Sequence, residues 1–268
     1  IVRPFSLRGF EYVMAMLQRY LMDTFRICGT KIMVERSPRI QPRTGYALVS
    51  NHQSLLDIVM IGGLLFTNFP KYVAKKELSR GIPSISLNLR WGGNALIDRK
   101  DRTQAFRAIK DMAKRAQDRG VSVVIFPEGT RSRDGRLKEF KRGGTAMMLS
   151  AADQLPVVPI AISGSWRLAE NNLLPVPFGT EVKIRFGAPI DRHPDDVDEL
   201  LASDATDRPR RWVWIYHYPP DGLPVSWSGS RHIGDADLNR WIGTHGPDLV
   251  LTGHIPASPF LDGGAWLA

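Results

Sequence analysis

Two short stretches of the sequence hold side chains that could move a proton or bind an anion. The first, NHQSLLD at residues 51–57, places His52 five positions before Asp57. A histidine whose one ring nitrogen contacts a carboxylate keeps the other nitrogen free as a general base. The second, PEGTRS, combines Gly129, where the backbone can approach a ligand closely, with Arg131, whose planar guanidinium suits phosphate.

The pairing of His52 with Asp57 competes with a purely structural interpretation. A strand is predicted to end near Ser50 and a helix to start near Ser54, so that Asp57 falls in the first helical turn. There the carboxylate could reach back to His52, but it could equally satisfy backbone N–H groups in a capping arrangement. On spacing alone the capping interpretation is favoured, because a histidine and an aspartate five residues apart are a common coincidence.

Further basic residues precede the second stretch. Lys75 and Lys76 belong to YVAKKEL, and Arg99 belongs to NALIDRK, which follows a short apolar run. Each of these charges, taken alone, is typical of a solvated surface position.

The pattern of the chain predicts an α/β domain over roughly residues 30–200. Residues 101–119 form an amphipathic helix pattern that stops at Gly120, a common signal for a helix end. Buried strands are predicted at YALVS, VSVVIF, VVPIAIS and EVKIRFG. Strands that alternate with helices favour an α/β architecture.

Charge and cysteine content narrow the function classes. The chain carries a net charge of +9, made of +11 in residues 1–200 and −2 in residues 201–268. The positive net charge of residues 1–200 suggests an anionic partner such as a lipid surface or a phosphorylated substrate. The basic residues are dispersed and no nucleic-acid module accompanies them, so no nucleic-acid partner is expected. The single cysteine excludes an intramolecular disulfide framework.

The N-terminal segment predicts a helix over residues 5–28 with a broad apolar face and a narrow polar stripe. Its longest unbroken apolar run, from Tyr12 to Leu17, is far short of the ~20 residues of a membrane span. Two interpretations remain open from the residues alone: a helix packed on the domain core, and a helix lying in a lipid interface.

The order and separation of five blocks resemble the PlsC-like family of lysophosphatidic acid acyltransferases. The blocks are NHQSLLD, AKKEL, GGNALIDR, FPEGTRS and VVPIAI, and the resemblance covers roughly residues 1–200. It implies a glycerol-3-phosphate-acyltransferase-like mixed sheet flanked by helices. It also implies an N-terminal amphipathic segment that anchors the domain on one membrane leaflet, at the cytoplasmic face of the inner membrane.

The resemblance assigns roles to individual residues. His52 corresponds to the catalytic base and Asp57 to its partner carboxylate. Lys75 and Arg99 correspond to positions that hold the acceptor phosphate, and Val158-Pro159-Ile160 to a block on the acyl-donor side. The block associated with the acyl acceptor consists of Glu128, Gly129, Thr130 and Arg131.

The implied activity is transfer of an acyl group from an acyl thioester to the hydroxyl of lysophosphatidic acid, which gives phosphatidic acid. The donor would be acyl-CoA or acyl carrier protein, and neither a metal nor a cofactor is required. Three alternatives stay open: the same chemistry on another lysolipid such as a lyso-ornithine lipid, a non-catalytic lipid-surface protein, and a metal-binding phosphoesterase-like fusion.

The C-terminal segment has a different composition. Residues 201–268 hold five of the seven tryptophans and four of the six histidines. His217 and His254 resemble metal ligands near the end of calcineurin-like metallophosphoesterases, but Pro256 stands where that family has a further histidine. We therefore expect three units: an anchoring segment at 1–30, an acyltransferase domain at 31–203 and an extension at 204–268.

Overall fold

The computed structural model describes residues 6–80, 83–138, 140–170, 175–190, 212–216 and 249–253. The α-helices are α1 (Leu7–Thr24), α2 (Leu56–Leu64), α3 (Pro83–Trp91), α4 (Arg102–Asp118) and α5 (Arg142–Ala151). The strands are β1 (Lys31–Arg36), β2 (Ala47–Ser50), β3 (Lys71–Lys75), β4 (Ala95–Ile97), β5 (Val123–Ile125), β6 (Val157–Ser163), β7 (Glu181–Phe186), β8 (Trp212–Tyr216) and β9 (Leu249–Gly253).

Seven strands form one mixed sheet in the order β1-β7-β6-β2-β5-β3-β4. Strands β2 to β6 run parallel to one another, whereas β7 pairs antiparallel with β6. Strands β2 and β5 are buried along their whole length, as expected for central strands of a parallel sheet covered on both faces. The predicted α/β fold with a mixed sheet flanked by helices is therefore confirmed.

Alternate residues of β2 supply two separate cores. Leu48 packs into a cluster with side chains of α1 and α2, whereas Ala47 and Val49 face a second cluster formed with α4 and α5. The helices therefore lie on both faces of the sheet, which follows from the period-2 alternation of strand side chains.

The predicted amphipathic helix at residues 101–119 is confirmed as α4. Asp101 accepts a hydrogen bond from the backbone N–H of Gln104 at 2.9 Å and thereby caps its N-terminus. After the helix ends, Gly120 adopts a positive φ of 60°, a conformation that glycine reaches at little cost. The four predicted strands correspond to β2, β5, β6 and β7. Strands β1, β3 and β4 were not predicted.

Helix α2 is apolar on nearly all sides and packs against α1 and the sheet. Its buried residues include Leu56, Met60 and Ile61. Where the helices touch, a Cβ added at Gly63 would lie only 3.1 Å from the Cα of Arg19, so the two backbones approach closely. Because a helix that is apolar all round must be covered, α1 is part of the fold as well as a surface element.

A buried ionic cluster attaches α1 to the sheet. The Glu11 carboxylate accepts a hydrogen bond from Lys71 Nζ at 2.5 Å and bonds from Arg119 to both of its oxygens at 2.8 Å. Glu11 and Lys71 are 4% and 5% exposed. Burial lowers the pKa of Lys71, and the charge of Glu11 opposes that effect.

The opposite side of α1 exposes apolar side chains. They are Val13, Met16, Leu17, Tyr20 and Leu21, and Ile27 beyond the helix is 82% exposed. No helix within the described residues is long and apolar enough to cross a membrane. One face of α1 therefore packs on the domain core, as the first interpretation predicted. The membrane-anchoring role of its other face stays a prediction.

The predicted C-terminal extension is described only at two strands. Strands β8 and β9 form a two-stranded antiparallel sheet in which Trp214 pairs with Leu251. His217 and His254 lie outside the described residues, as does the predicted domain boundary at 203/204, so these predictions remain untested. Within the described part of the chain, no group of three or more His, Cys, Asp or Glu side chains could hold a metal ion.

The Glu11 cluster predicts a large loss of stability when its carboxylate is removed. Glu11→Gln leaves the Lys71 ammonium buried without its counter-charge, and we expect the free energy of unfolding to fall by about 3–5 kcal/mol. Urea denaturation measures the loss. Glu181→Gln is the matched control, because the ion pair between Glu181 and Lys31 is exposed and should be worth less than about 1 kcal/mol. Equal losses in the two variants would contradict the proposed importance of the cluster.

Candidate active site

The residues singled out by the sequence converge on one edge of the sheet. Strands β2 to β6 are parallel, so their carboxyl ends meet there. His52 follows β2, Lys75 ends β3, Arg99 follows β4, and Glu128 to Arg131 follow β5. Ligands of open α/β sheets bind at this kind of edge.

His52 and Asp57 are in direct contact. The Nδ1 atom of His52 lies 2.9 Å from Oδ2 of Asp57, whose carboxylate is fully buried. The imidazole also stacks on the ring of Phe126, with centroids 4.0 Å apart and an interplanar angle of 18°. These two contacts fix the plane of the ring and occupy Nδ1, which leaves Nε2 as the nitrogen available to a substrate. The His52 side chain retains 14% exposure.

The same carboxylate also satisfies backbone donors. Oδ2 of Asp57 accepts the N–H groups of Gln53 at 2.7 Å and Ser54 at 2.8 Å. Helix α2 begins at Leu56, two residues later than the predicted start near Ser54. The reason is that residues 53–55 form a turn around the carboxylate before the helix begins. Hence the capping interpretation and the histidine contact are both present, and they do not exclude each other.

Glu128 links the two sequence motifs through the backbone of His52. Its Oε1 accepts the N–H of His52 at 2.7 Å, and its Oε2 accepts the N–H of Lys138 at 3.2 Å. The N–H of Ser132 donates to the carbonyl oxygen of His52 at 2.7 Å. The carboxylate is 1% exposed. Both carboxylate oxygens of Glu128 thus accept backbone N–H groups, and its predicted role in binding the acyl acceptor stays a prediction.

The PEGTRS loop also contains two exposed polar or basic side chains, those of Thr130 and Arg131. Gly129 has a positive φ of 65°, and its carbonyl oxygen accepts a hydrogen bond from Arg99 at 2.5 Å. The side chains of Arg99 and Lys75 are exposed as well. Exposed guanidinium and ammonium groups at one sheet edge are suited to an anionic ligand.

Three further residues support the site although the sequence analysis did not select them. Asn51 fastens the end of β2 to β6, because its side chain exchanges two hydrogen bonds with the backbone of Ile162 at 2.7 and 2.8 Å. The hydroxyl of Ser165 donates to Oδ1 of Asp57 at 2.5 Å. A Cβ added at Gly129 would lie 3.6 Å from Lys141 Nζ, so this ammonium stands beside the loop. Only Asn51, next to His52 in the motif, carried a sequence signal.

Burial controls the protonation of Glu128. It raises the pKa of this carboxyl to about 7, against the opposing hydrogen bonds from the N–H groups of His52 and Lys138, and the nearby charge of Asp57 raises it further. The folded protein therefore binds this proton more tightly than the unfolded chain, in which the pKa is near 4.5.

This shift predicts a specific pH dependence of stability. Because the folded-state pKa of Glu128 is raised, its contribution is fully present below the unfolded value and is lost as the pH rises through about 7. The Glu128→Gln variant does not titrate at this position. Relative to it, the free energy of unfolding of the parent should fall by about 3 kcal/mol as the pH rises from near 4.5 to about 7. Urea denaturation of both proteins at pH values between about 4 and 8 measures the difference. Parallel pH profiles of the two proteins would contradict the assigned shift.

Comparison with known proteins places these features in a family. A family model described as Acyltransferase matches residues 31–163, a range that includes His52, Asp57 and the PEGTRS loop. A 1-acyl-sn-glycerol-3-phosphate acyltransferase of Cocos nucifera is 33% identical over 214 residues, which are 78% of this chain and 64% of that protein. The alpha form of Homo sapiens is 31% identical over 160 residues, or 56% of this chain and 52% of that protein. The chain thus spans between half and two thirds of the length of these relatives.

A solved structure agrees with the sequence relatives. The crystal structure of the 1-acyl-sn-glycerophosphate (LPA) acyltransferase PlsC from Thermotoga maritima superimposes with a TM-score of 0.53 at 30% identity, covering 69% of this chain and 70% of that one. The family model, the sequence relatives and the solved structure agree with one another. The chain belongs to the PlsC-like family of 1-acyl-sn-glycerol-3-phosphate acyltransferases.

Proposed function

We propose that the protein transfers a fatty acyl group from an acyl thioester to the free hydroxyl of lysophosphatidic acid, which yields phosphatidic acid. The observation that carries this proposal is the contact of His52 Nδ1 with the buried carboxylate of Asp57, at the edge of the sheet where exposed basic side chains also gather. The names of the relatives support the same reaction.

In this reaction His52 acts as the general base. Its Nε2 takes the proton of the acceptor hydroxyl while the hydroxyl oxygen attacks the thioester carbonyl carbon. The tetrahedral intermediate then expels the thiolate, which takes the proton back from the imidazolium. Asp57 holds the ring and stabilises its charged form, and a base of this kind contributes roughly 10²–10⁴ in rate. The substrate supplies the nucleophile, so neither a protein nucleophile nor a metal or cofactor is needed.

The basic side chains suit the phosphate of the acceptor. Arg131 and Arg99 offer guanidinium groups, and Lys75 ends the neighbouring strand β3. A guanidinium group can donate two parallel hydrogen bonds to a phosphate. Such bidentate binding would orient the acceptor with its hydroxyl toward His52. Gly129 and Thr130 belong to the same loop and would lie against the acceptor.

A membrane surface is the proposed source of the lysophosphatidic acid acceptor. The exposed apolar side chains of α1 and the +11 charge of residues 1–200 suit an interfacial helix on an anionic leaflet. We assign the protein to the cytoplasmic face of the inner membrane as a peripheral or monotopic protein. Acyl-CoA or acyl carrier protein would deliver the acyl chain from the aqueous side.

Substitution of the base tests the reaction itself. His52→Ala should lower the rate of phosphatidic acid formation from lysophosphatidic acid and a long-chain acyl-CoA by about 10² or more, because proton transfer is lost. Mass spectrometry of the lipids formed by detergent-solubilised protein measures the product. Asp57→Asn, which preserves the shape of the side chain, should also be impaired.

The possible outcomes test the proposed reaction and the proposed role of His52 separately. Equal product from the parent and His52→Ala would refute the role of His52. No product from the parent with either acyl-CoA or acyl carrier protein as donor would refute the proposed acceptor. Circular dichroism spectra of the variants should match that of the parent, which excludes unfolding as the cause of a loss.

Recognition of the phosphate predicts a different kinetic pattern. Arg131→Ala should raise the KM for lysophosphatidic acid by about 10-fold or more, since a charge-assisted hydrogen bond is worth about 1.5–3 kcal/mol. Arg131→Lys should recover part of the loss, because it keeps the charge without the planar fork. Arg133→Ala removes an exposed arginine two positions away and serves as the control. Equal activity of the parent on a monoacylglycerol, or on a lyso-ornithine lipid, would contradict recognition of the phosphate.

A further inference from the structure

We propose that Ser165 is a positioning residue for the acyl transfer: its hydroxyl fixes the carboxylate of Asp57, and through it the imidazole of His52. This inference rests on the proposed function. It extends the pair of His52 and Asp57 to a chain of three groups that begins at the substrate and ends in the interior of the domain.

The contacts of the Ser165 hydroxyl identify its partner. Oγ lies 2.5 Å from Oδ1 of Asp57 and 3.4 Å from Oε1 of Gln53, and the residue is fully buried. A hydroxyl has one proton to donate. The shorter distance and the charge of the carboxylate place that proton on Asp57, since hydrogen bonds to ionised acceptors are the shorter and stronger ones.

The two oxygens of Asp57 are held by different parts of the chain. Oδ2 accepts from His52 and from the backbone N–H groups of Gln53 and Ser54, all within the turn after β2. Among the described residues, Oδ1 accepts only from Ser165, which follows β6. Ser165 therefore adds a second point of attachment, which restrains rotation of the carboxylate about its bond to Cβ together with the three contacts of Oδ2.

The backbone around Ser165 leaves little freedom for its hydroxyl. Gly164 has a positive φ of 83°, and a Cβ there would lie 2.2 Å from the carbonyl oxygen of Glu181 on β7. Only glycine permits so close an approach of the two segments. The N–H of Arg167 then donates to the carbonyl oxygen of Gly164 at 3.2 Å and closes the turn. Rigid support of this kind is what a positioning group requires.

The location of Ser165 sets the kinetic signature of its loss. Because the side chain is fully buried behind Asp57, it cannot touch either substrate. Removing its hydroxyl leaves Oδ1 without a donor, and the carboxylate and imidazole then spend less time in the productive orientation. The effect belongs to the chemical step, so kcat should fall while the KM values for acceptor and donor stay near those of the parent.

Three variants of the full chain test this inference. Ser165→Ala should lower kcat by about 10- to 100-fold, the range typical of losing an outer hydrogen-bond partner that orients a group in the site. Ser165→Thr and Ser165→Val have nearly the same shape and differ in the hydroxyl. Thr should retain most of the parental kcat relative to Val. Any disturbance from the added methyl group is common to both and cancels in the comparison.

A second measurement separates positioning from general damage. In the His52→Ala background, Ser165→Ala should cause no further loss of the residual rate, because Ser165 acts through the imidazole that is already absent. A further loss of the same size as in the parent, equal kcat in the Thr and Val variants, or a loss confined to KM would each overturn the inference.

The outcomes also distinguish this inference from the proposed function. A parent protein that forms phosphatidic acid while Ser165→Ala and Ser165→Val keep its kcat leaves the function intact and refutes the role of Ser165. A parent protein that forms no phosphatidic acid refutes the proposed function, and the role of Ser165 in that reaction is then refuted with it.

Discussion

The buried carboxylate of Asp57 is the constraint on which the arrangement of the site depends. An isolated charge in the interior would be very unfavourable, so each of its oxygens must be supplied with donors. The turn after β2 provides two backbone N–H groups and His52, and the segment after β6 provides Ser165. These segments can satisfy the charge only when β2 and β6 are paired in the observed register. The full set of contacts of Asp57 is therefore complete only when the sheet has formed.

At this edge of the sheet, the buried polar groups stabilise the backbone and the exposed ones are available to bind a ligand. Asn51 and Glu128 direct their side chains to backbone groups and hold the chain around His52. Arg131 and Lys75 are exposed and keep their charges available to a ligand. The division explains why one short motif can contribute both to stability and to binding. Within PEGTRS, a single buried carboxylate anchors the loop that presents an exposed guanidinium three residues later.

The N-terminal helix joins the proposed membrane surface to this site. One face of α1 packs on α2, the helix whose first turn carries Asp57, and Glu11 ties the same face to Lys71 at the start of β3. Its other face exposes Leu17, Tyr20 and Leu21. Packing on the core and contact with a lipid interface use different faces of α1, so the two interpretations are compatible. The sequence left both open because an apolar surface on a helix does not reveal which neighbour covers it.

The amino-acid sequence was sufficient to predict the elements with a clear local pattern and to reveal the order of the motifs. The apolar runs of β2, β5 and β6, the alternating pattern of β7 and the amphipathic pattern of α4 are local properties, and each was predicted. The order of the motifs indicated the family. Strands β1, β3 and β4 were not predicted because each lacks a clear apolar pattern. Strand β1 is largely exposed, β3 has a lysine at each end, and β4 has only three residues.

The contacts between the motifs became visible only in the three-dimensional fold. Glu128 lies 76 positions from His52, and Ser165 lies 108 positions from Asp57. Hydrogen bonds over such separations follow no periodicity, so the motif that contains Glu128 does not reveal its contact with His52, and no motif marks Ser165. They meet because parallel pairing brings the ends of β5, β2 and β6 to one edge, and because a charge buried there requires partners.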